Sequence, residues 1–409
     1  MFAACTIISS FASGNTVQAF TVADSFQADF GLPPYFTGLL LSILVGLVII
    51  GGIKRIGVVA SRLVPFMALI YIVSSLVVIG SNIQNVPEAF RLVFTSAFTP
   101  QGAIGGFAGS TFTMALLWGV RRGLFSNESG QGSAPIAHAA AKTEEPVREG
   151  TVAMVGPFID TLLICTLTGL TIITSGAWKT TYETSIPLAE AVILTSQAEV
   201  GPGGTCRDED RFSGEAPIRR GEVRGVRIVY NNGIVEDPTL FVPTSGGKMG
   251  QLTVGHLVVQ EGKVQEVQGP ASFVIEGGEL RGGSLLNGSL LTAKAFETGL
   301  GGKWGSWMVT FAVFLFALST AISWSYYGDR GSEYLFGGKG IRSYRLLFVI
   351  LVFLGANLQL KTVWGFGDIA LSMMAFPNLI ALLLLAGKVK RSKEEYFSRE
   401  HVPVSKAHF

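Results

Sequence analysis

One polar stretch, residues 121–135, combines amide, carboxyl and hydroxyl side chains with glycines and a proline. It follows a mostly apolar segment, residues 107–120, and leads into a run of small residues at 136–141. Inside a membrane helix such an interruption frees backbone groups that hydrocarbon cannot satisfy, so it must face protein or a water-filled cavity. Broken helices of this kind are where transporters hold substrates and ions. The pattern therefore predicts a binding site built on a broken helix.

Other polar residues lie inside apolar segments. Asn15 and Gln18 are three residues apart and share one helix face, and a polar face within a membrane normally looks into the helix bundle. Asp160 lies ~14 Å into its helix; it could carry a coupling proton or brace the broken helix, and bracing is favoured. Asp368 has no predicted role beyond packing or gating. His138 is interpreted as a packing residue rather than a proton relay.

The composition excludes an ordinary soluble enzyme. The chain has 409 residues, 48% of them hydrophobic and only 15% charged, which indicates a polytopic membrane protein. A net charge of +2 without a basic patch gives no sign of nucleic-acid binding. The three cysteines suggest neither a disulfide framework nor a zinc site. Because no nucleophile elbow, phosphate loop or metal-ligand motif is found, we predict no enzyme activity and no cofactor.

Eight apolar segments predict the membrane part. Most approach the ~20 residues that a bilayer requires, and one is long enough to hold two half-helices around the polar break. The predicted spans are residues 2–23, 36–51, 58–79, 106–141, 151–175, 307–324, 344–360 and 363–385. Trp324, Tyr326 and Tyr327 are interpreted as part of an interfacial aromatic belt.

Residues 179–290 differ completely in composition, because charges, glycines and turn signals replace the apolar runs. Residues 224–229, 252–260 and 272–275 alternate as strands do, and Asn231-Asn232-Gly233 is a hairpin signal. The predicted organisation is a membrane bundle at 1–178, a β-rich soluble insertion at 179–290, more bundle at 291–387 and a basic tail at 388–409.

The distribution of Lys and Arg predicts the orientation. If the basic tail is cytoplasmic, eight alternating spans place the other basic short loops on the same side, and the β-rich insertion becomes extracytoplasmic. The predicted location is the cell (inner) membrane. The chain opens directly into an apolar segment, with no basic leader, so we expect an N-terminally incomplete sequence.

Residues 122–141, RGLFSNESGQGSAPIAHAAA, closely resemble the signature region of the alanine or glycine:cation symporter family. GNTVQA at 14–19, GGIKRI at 51–56, and FALST with WSYYG at 316–320 and 324–328 fit that family in the same order. The resemblance covers the apolar parts from end to end and excludes the β-rich insertion. One departure is Phe20, where the family usually has Asn.

The resemblance implies an all-α, five-plus-five inverted-repeat (leucine-transporter-type) bundle preceded by an extra helix. This chain would begin at the third core helix and lack the first two. The implied substrate is a small neutral amino acid, which needs acceptors for its ammonium group and donors for its carboxylate. The candidate contacts are Asn127 and Gln131 first, then Ser126, Glu128, Gly123 and Gly130, with Gln18 and Asn15 from the facing helix. Glu128 could contact the substrate or brace the break. Arg121 or Arg122 could form an ion pair with Glu128 or with Asp160.

The resemblance also implies a sodium site on a later helix. Ser319 and Thr320 occupy the place where this fold supplies hydroxyl oxygens to a sodium ion, and the carbonyl of Phe316 adds a third oxygen ligand. The leading hypothesis is sodium- or proton-coupled symport of alanine or glycine, with the lipid bilayer as the surrounding partner. The alternative is a transport-inactive remnant, or a membrane-anchored sensor whose β insertion binds an external ligand.

Overall fold

The computed structural model describes residues 1–98, 112–189, 191–198, 206, 208–230, 233–244, 249–270, 274–275 and 277–399. These residues fall into two compact units. The first contains residues 1–77, 121–169 and 306–409, and the second contains residues 78–120 and 170–305.

The α-helices and π-helices lie on both sides of the strand-rich segment in the described chain. In chain order they are α1 (Phe2–Phe11), a π-helix (Ala12–Thr16), α2 (Val17–Phe30), α3 (Pro34–Ile49), α4 (Gly52–Ser81), α5 (Val86–Phe98), α6 (Phe112–Ser126), α7 (Ala134–His138), α8 (Pro146–Ala153), α9 (Val155–Pro157), a second π-helix (Phe158–Cys165), α10 (Thr166–Ser175), α11 (Gly288–Leu300), α12 (Lys303–Phe336), α13 (Gly338–Ala356) and α14 (Leu360–Phe397).

Four helical stretches in the described part of the chain are long and apolar enough to cross a membrane. They are Arg55–Ser81, Pro146–Ser175, Lys303–Phe336 and Thr362–Phe397. The sequence predicts eight spans, and the others differ for identifiable reasons. The predicted span at 2–23 is divided by a π-helix, and Pro34–Ile49 is apolar but shorter. Helix α13 has charged residues in its first turns and ends at Ala356. Residues 106–111 of the predicted broken span lie outside the described residues.

The helices of the first unit pack through a shared apolar core. Val22 of α2, Val45 of α3 and Phe348 of α13 are completely buried within it. A Cβ on Gly38 would lie 2.7 Å from the Cβ of Ala356, so glycine permits the close approach of α3 and α13. Burial of this apolar surface places the polar π-helix Ala12–Thr16 at the centre of the packed helices, where all of its residues are buried.

The strands lie in the second unit. Antiparallel pairing gives one sheet in the order β1-β12-β7-β4-β3-β9-β10-β11, with β8 on β7, and a small sheet β2-β5-β6. In chain order the strands are β1 (Tyr182–Pro187), β2 (Val192–Thr195), β3 (Gly214–Arg219), β4 (Glu222–Val223), β5 (Val226–Tyr230), β6 (Gly233–Ile234), β7 (Glu236–Pro243), β8 (Met249–Gln251), β9 (Val254–Gln260), β10 (Lys263–Gln268), β11 (Val274–Ile275) and β12 (Glu279–Ser284).

The strand pattern follows from alternation in the sequence. Along β9 and β12 buried and more exposed residues alternate, as expected when one face of a sheet covers a core. Strands β5, β9 and β11 overlap the predicted segments 224–229, 252–260 and 272–275. At the predicted hairpin, Tyr230 pairs with Gly233 across β5 and β6, while residues 231–232 lie outside the described part.

Candidate substrate and cation site

The polar break separates two helices where the sequence predicts it. Helix α6 ends at Ser126 and α7 begins at Ala134. Between them Glu128, Gly130 and Gly132 have φ angles of +50°, +72° and +82°. Left-handed backbone is open to glycine at little cost but strains other residues. The two glycines therefore allow the chain to leave the helix, and Glu128 requires support from its surroundings.

Hydrogen bonds from residues of the break satisfy carbonyl groups near the end of α6. The backbone N–H groups of Asn127 and Ser129 donate to the carbonyls of Gly123 and Leu124, both at 3.1 Å. The Gln131 side chain donates through Nε2 to the Leu124 carbonyl at 2.9 Å. Its Oε1 is buried and has no hydrogen-bond partner among the described residues. Gln131 thus stabilises the break and retains an acceptor without a donor.

Glu128 is held by a neighbouring donor. The Ser133 hydroxyl donates to Glu128 Oε2 at 2.5 Å, and Tyr327 lines the same cavity as Glu128. The contact with Ser133 favours the bracing interpretation of Glu128. The interfacial-belt interpretation was wrong for two of the three aromatic residues. Trp324 and Tyr327 are only 5% and 7% exposed, because they pack inside the first unit with Leu371 and Met374.

The second π-helix touches the end of α6. The Ser126 hydroxyl donates to Asp160. Asn127 Nδ2 donates to the Thr161 hydroxyl at 2.8 Å and to the Gly123 carbonyl at 3.0 Å. The bond to Ser126 is compatible with a bracing role for Asp160, which stays a prediction. Thr161 is a neighbour of Asn127 that the sequence did not indicate, because nothing local distinguishes it from other threonines.

A cavity of about 840 Å³ opens beside these groups. Its lining includes Ser126, Asn127, Glu128, Asp160 and Tyr327. The volume lies within the range of small-molecule sites. Part of its polar wall comes from the end of α6, the break and the second π-helix. Three residues of the predicted substrate site, Ser126, Asn127 and Glu128, therefore border a space that can admit a ligand.

Three further polar contacts surround this region. Arg122 forms an ion pair with Asp368 at 3.4 Å, and its guanidinium carbon lies 4.8 Å from the Trp364 ring centroid. The sequence did not indicate a partner for Asp368. The ion pair with Arg122 supplies one and links α6 to α14. His138 Nδ1 lies 2.7 Å from a Glu149 oxygen.

The facing residues Asn15 and Gln18 occupy a different part of the first unit. Asn15 is completely buried, and its Nδ2 donates to the Phe348 carbonyl at 2.7 Å. Because a carbonyl only accepts, Oδ1 must face the other way, and it has no partner among the described residues. Gln18 Nε2 donates to the Ser13 carbonyl at 3.2 Å. Both side chains line a cavity of about 10 Å³, close to the volume of one water molecule.

The predicted sodium ligands lie on α12. The Ser319 hydroxyl donates to the Phe316 carbonyl at 2.8 Å and lies 3.7 Å from Met67 Sδ. The Phe316 ring contacts Tyr71, with 5.7 Å between centroids. Phe316, Ser319 and Thr320 share one helix face, and these contacts direct that face toward α4.

The contacts therefore join the predicted residues into separate groups. Ser126, Asn127, Glu128 and Asp160 border the large cavity. Asn15 and Gln18 border the small one together with Ala317, Leu318 and Ala321, which lie on the opposite face of α12 from the predicted sodium ligands. In the described part of the chain, no hydrogen bond links Gln18 to the break. The Gly123 carbonyl accepts from the Asn127 side chain of the break group, whereas the Gly130 carbonyl accepts from Asn378 of α14.

Apolar helices of membrane length, interrupted by a polar break beside a cavity, define a membrane protein of the transporter class. The chain belongs to the sodium:alanine symporter family, whose model matches residues 1–204 and 271–407. Residues 205–270, within the strand-rich part of the second unit, lie between the two matched segments.

Individual relatives agree with the family match. An uncharacterized transporter of Haemophilus influenzae is 34% identical over 393 residues, covering 96% of this chain and 64% of the relative. The sodium/alanine symporter AgcS of Methanococcus maripaludis is 34% identical over 379 residues, covering 93% and 60%. A sodium/proton-dependent alanine carrier protein of Bacillus sp. (strain PS3) is 28% identical over 384 residues, covering 93% and 65%. The chain thus spans 60–65% of the length of these three relatives.

Proposed function

We propose that this protein carries out secondary active symport of a small neutral amino acid, alanine or glycine, coupled to sodium or protons. The observation that carries the proposal is the break at residues 127–133, with left-handed glycines and a cavity beside it that has polar groups in its wall. Membership of the sodium:alanine symporter family supports it, as do two relatives named for sodium/alanine symport and for sodium/proton-dependent alanine transport. The fold that we propose with this function is the five-plus-five inverted repeat.

The proposed substrate site is the wall of the large cavity. The Asn127 amide can exchange its bonds with Thr161 for a donor and an acceptor bond to a ligand, and Ser126 offers a hydroxyl oxygen. A zwitterion can bind to such neutral groups without a buried ion pair, which avoids the cost of desolvating additional charges. Glu128 and Asp160 then act mainly by holding the break, through Ser133 and Ser126 respectively.

The proposed coupling site consists of Phe316, Ser319 and Thr320. A hard cation prefers oxygen ligands, and one carbonyl with two hydroxyls on the same helix face supplies three. In the part of the chain that the structure describes, the Ser319 hydroxyl bonds to the Phe316 carbonyl of its own helix and, more weakly, to Met67 Sδ of α4. A cation that takes the hydroxyl oxygen as a ligand would compete with these two bonds.

The strand-rich segment is proposed to be an extracytoplasmic insertion at residues 179–290, with the basic tail at 388–409 in the cytoplasm. Its two ends are neighbours, since Tyr182 of β1 pairs with Ser284 of β12. Adjacent entry and exit points are typical of inserted domains. Deletion of residues 180–285 is expected to leave transport intact if the insertion only decorates the bundle, and to abolish transport if it gates the outer entrance.

Uptake of labelled alanine into proteoliposomes tests the proposed function. A sodium or proton gradient directed inward should drive accumulation, and collapse of both gradients should stop it. Thr320→Ala should weaken the dependence on sodium at least ~10-fold, the loss expected for one ligand worth ~1.4 kcal/mol. Ser372→Ala is the matched control, because Ser372 is exposed and its hydroxyl bonds only to the Asp368 carbonyl of its own helix. Absence of gradient-driven uptake of either amino acid would reject the proposal.

A further inference from the structure

Helix α14 contains an unusual pair of residues, Pro377 and Asn378, in its apolar interior. Proline has no N–H and so cannot bond to the carbonyl four residues earlier. Asparagine is a weak helix former that competes for backbone groups. Two successive residues that destabilise a helix are unusual within a long helix. A contact with another part of the protein should therefore explain why both are present.

Asn378 makes that contact with the polar break. Its Nδ2 donates to the Gly130 carbonyl at 2.9 Å. A Cβ on Gly132 would lie only 2.6 Å from Asn378 Oδ1 and 2.7 Å from Cγ. The amide therefore fits against both left-handed glycines, and one of them must lack a side chain to make room. In hydrocarbon a carbonyl released from a helix needs a donor, and Asn378 supplies one from a separate helix.

The same helix also holds the segment before the break. Asp368 of α14 pairs with Arg122 of α6, and Trp364 lies beneath the Arg122 guanidinium. Asp368 and Asn378 are ten residues apart along α14, so they lie ~15 Å apart along its axis. Helix α14 thus anchors α6 and the break at two points, and Asn378 is the one that reaches the left-handed backbone.

We propose that Asn378 is a positioning residue that holds residues 128–133 in the geometry required for substrate binding. The inference rests on the proposed function of the break, and Asn378 itself contacts no substrate. Loss of the Nδ2 donor should release the Gly130 carbonyl and allow residues 128–133 to populate other conformations. The apparent affinity for substrate should fall as the competent fraction falls, whereas the maximal rate should change less.

Hydrogen–deuterium exchange of the full-length protein in nanodiscs measures this directly, without depending on transport. We expect Asn378→Ala to raise exchange of the amides at 128–133 about tenfold and leave α12 unchanged. Asn378→Asp keeps the size but replaces the donor with an acceptor, and should raise exchange at least as much. Asn357→Ala is the control, because Asn357 is exposed and its Nδ2 bonds to the Phe353 carbonyl of its own helix at 2.8 Å.

The outcomes separate this proposal from the proposed function. Local opening in both Asn378 variants, together with a KM for alanine raised about tenfold at nearly constant maximal rate, supports it. Unchanged exchange at 128–133 overturns it, and so does a rise spread evenly over α12 and α14, which would assign Asn378 to general stability. If the wild-type protein moved neither alanine nor glycine, the proposed function would fail while the exchange result still decided the role of Asn378.

Discussion

Two polar interruptions lie within the apolar helices of the first unit, and they have opposite characters. The π-helix Ala12–Thr16 widens the helix by one residue per turn but lets it continue, and every residue in it is buried. The break at 127–133 ends one helix and starts another through left-handed backbone, and two of its residues, Asn127 and Glu128, line a large cavity. Both contain glycine and an amide side chain, so composition alone does not distinguish them.

The difference lies in what surrounds each glycine. Gly14 is pressed against Trp324 of α12, where its missing side chain allows close packing of helices. Gly130 and Gly132 have positive φ angles and turn the chain. The first interruption is therefore a packing feature, and the second provides exposed polar groups. Binding requires polar groups that a ligand can reach, so the comparison supports the proposal that the break is the binding site.

The largest effect is expected from Gly132→Ala. Left-handed backbone costs a residue with a side chain ~1–2 kcal/mol, and the new Cβ would lie 2.6 Å from Asn378 Oδ1 and 2.8 Å from Phe2 Cζ. Overpacking of this kind adds ~1–3 kcal/mol. We expect alanine uptake in proteoliposomes to fall at least ~10-fold, since ~1.4 kcal/mol is a factor of ten.

Gly169→Ala is the matched control for this change. Gly169 lies in α10, and no heavy atom lies within 4 Å of the position that its Cβ would take. Its uptake should equal that of the wild type. Equal losses in the two variants would mean that the glycines of the break have no special role.

A smaller effect of a different kind is expected from Gly14→Ala. The added Cβ would lie 2.3 Å from the Cβ of Trp324, so the π-helix and α12 must separate at a cost of ~1–3 kcal/mol. The thermal midpoint of the purified protein should fall, while the KM of the remaining folded protein for alanine stays constant. A changed KM at an unchanged thermal midpoint would contradict the assignment of the π-helix to packing.

Asn15→Leu should have a still smaller effect on stability. The change removes the hydrogen bond to the Phe348 carbonyl, worth ~1 kcal/mol, but also removes a buried acceptor without a partner. The two contributions oppose each other, so the midpoint of thermal unfolding should shift little. A large fall would show that Oδ1 has a strong partner in the folded protein and that the small cavity is filled.

The smallest effect is expected in the β-rich region, which follows local rules throughout. The Ser185 hydroxyl, at 2.5 Å, and then Arg281 hold the pKa of Glu279 below its usual value of 4.5. A lowered pKa adds stability that is present above the unfolded-state pKa and lost as pH falls through the folded-state value. Glu279→Gln should lower the thermal midpoint slightly at neutral pH. The difference should shrink as the pH falls below the unfolded-state pKa of about 4.5 and vanish below the folded-state pKa, which is lower.

Glu215→Gln, an exposed carboxyl of β3, serves as its control. A difference between Glu279→Gln and the wild type that persisted in strong acid would mean that packing, rather than charge, explains the effect.

Local patterns in the sequence predicted local structure. Glycines among polar residues located the break, and alternation located strands such as β5 and β9. Contacts between distant residues could not be predicted, since a helix pattern does not show which helix faces which. The burial of Trp324 and Tyr327 and the bond from Asn378 to Gly130 are of this kind. The orientation of Ser319 toward Met67 also depends on tertiary packing that no local spacing specifies.

The central claim is that the break binds the substrate, and equilibrium binding of labelled alanine in sodium tests it most directly. Wild-type protein, Asn127→Ala and Asn357→Ala would be compared in nanodiscs. Asn127→Ala should weaken binding at least ~10-fold, because it removes an amide that can pair with the zwitterion. Asn357→Ala should bind as the wild type does. Equal affinities of the wild type and Asn127→Ala would contradict the account.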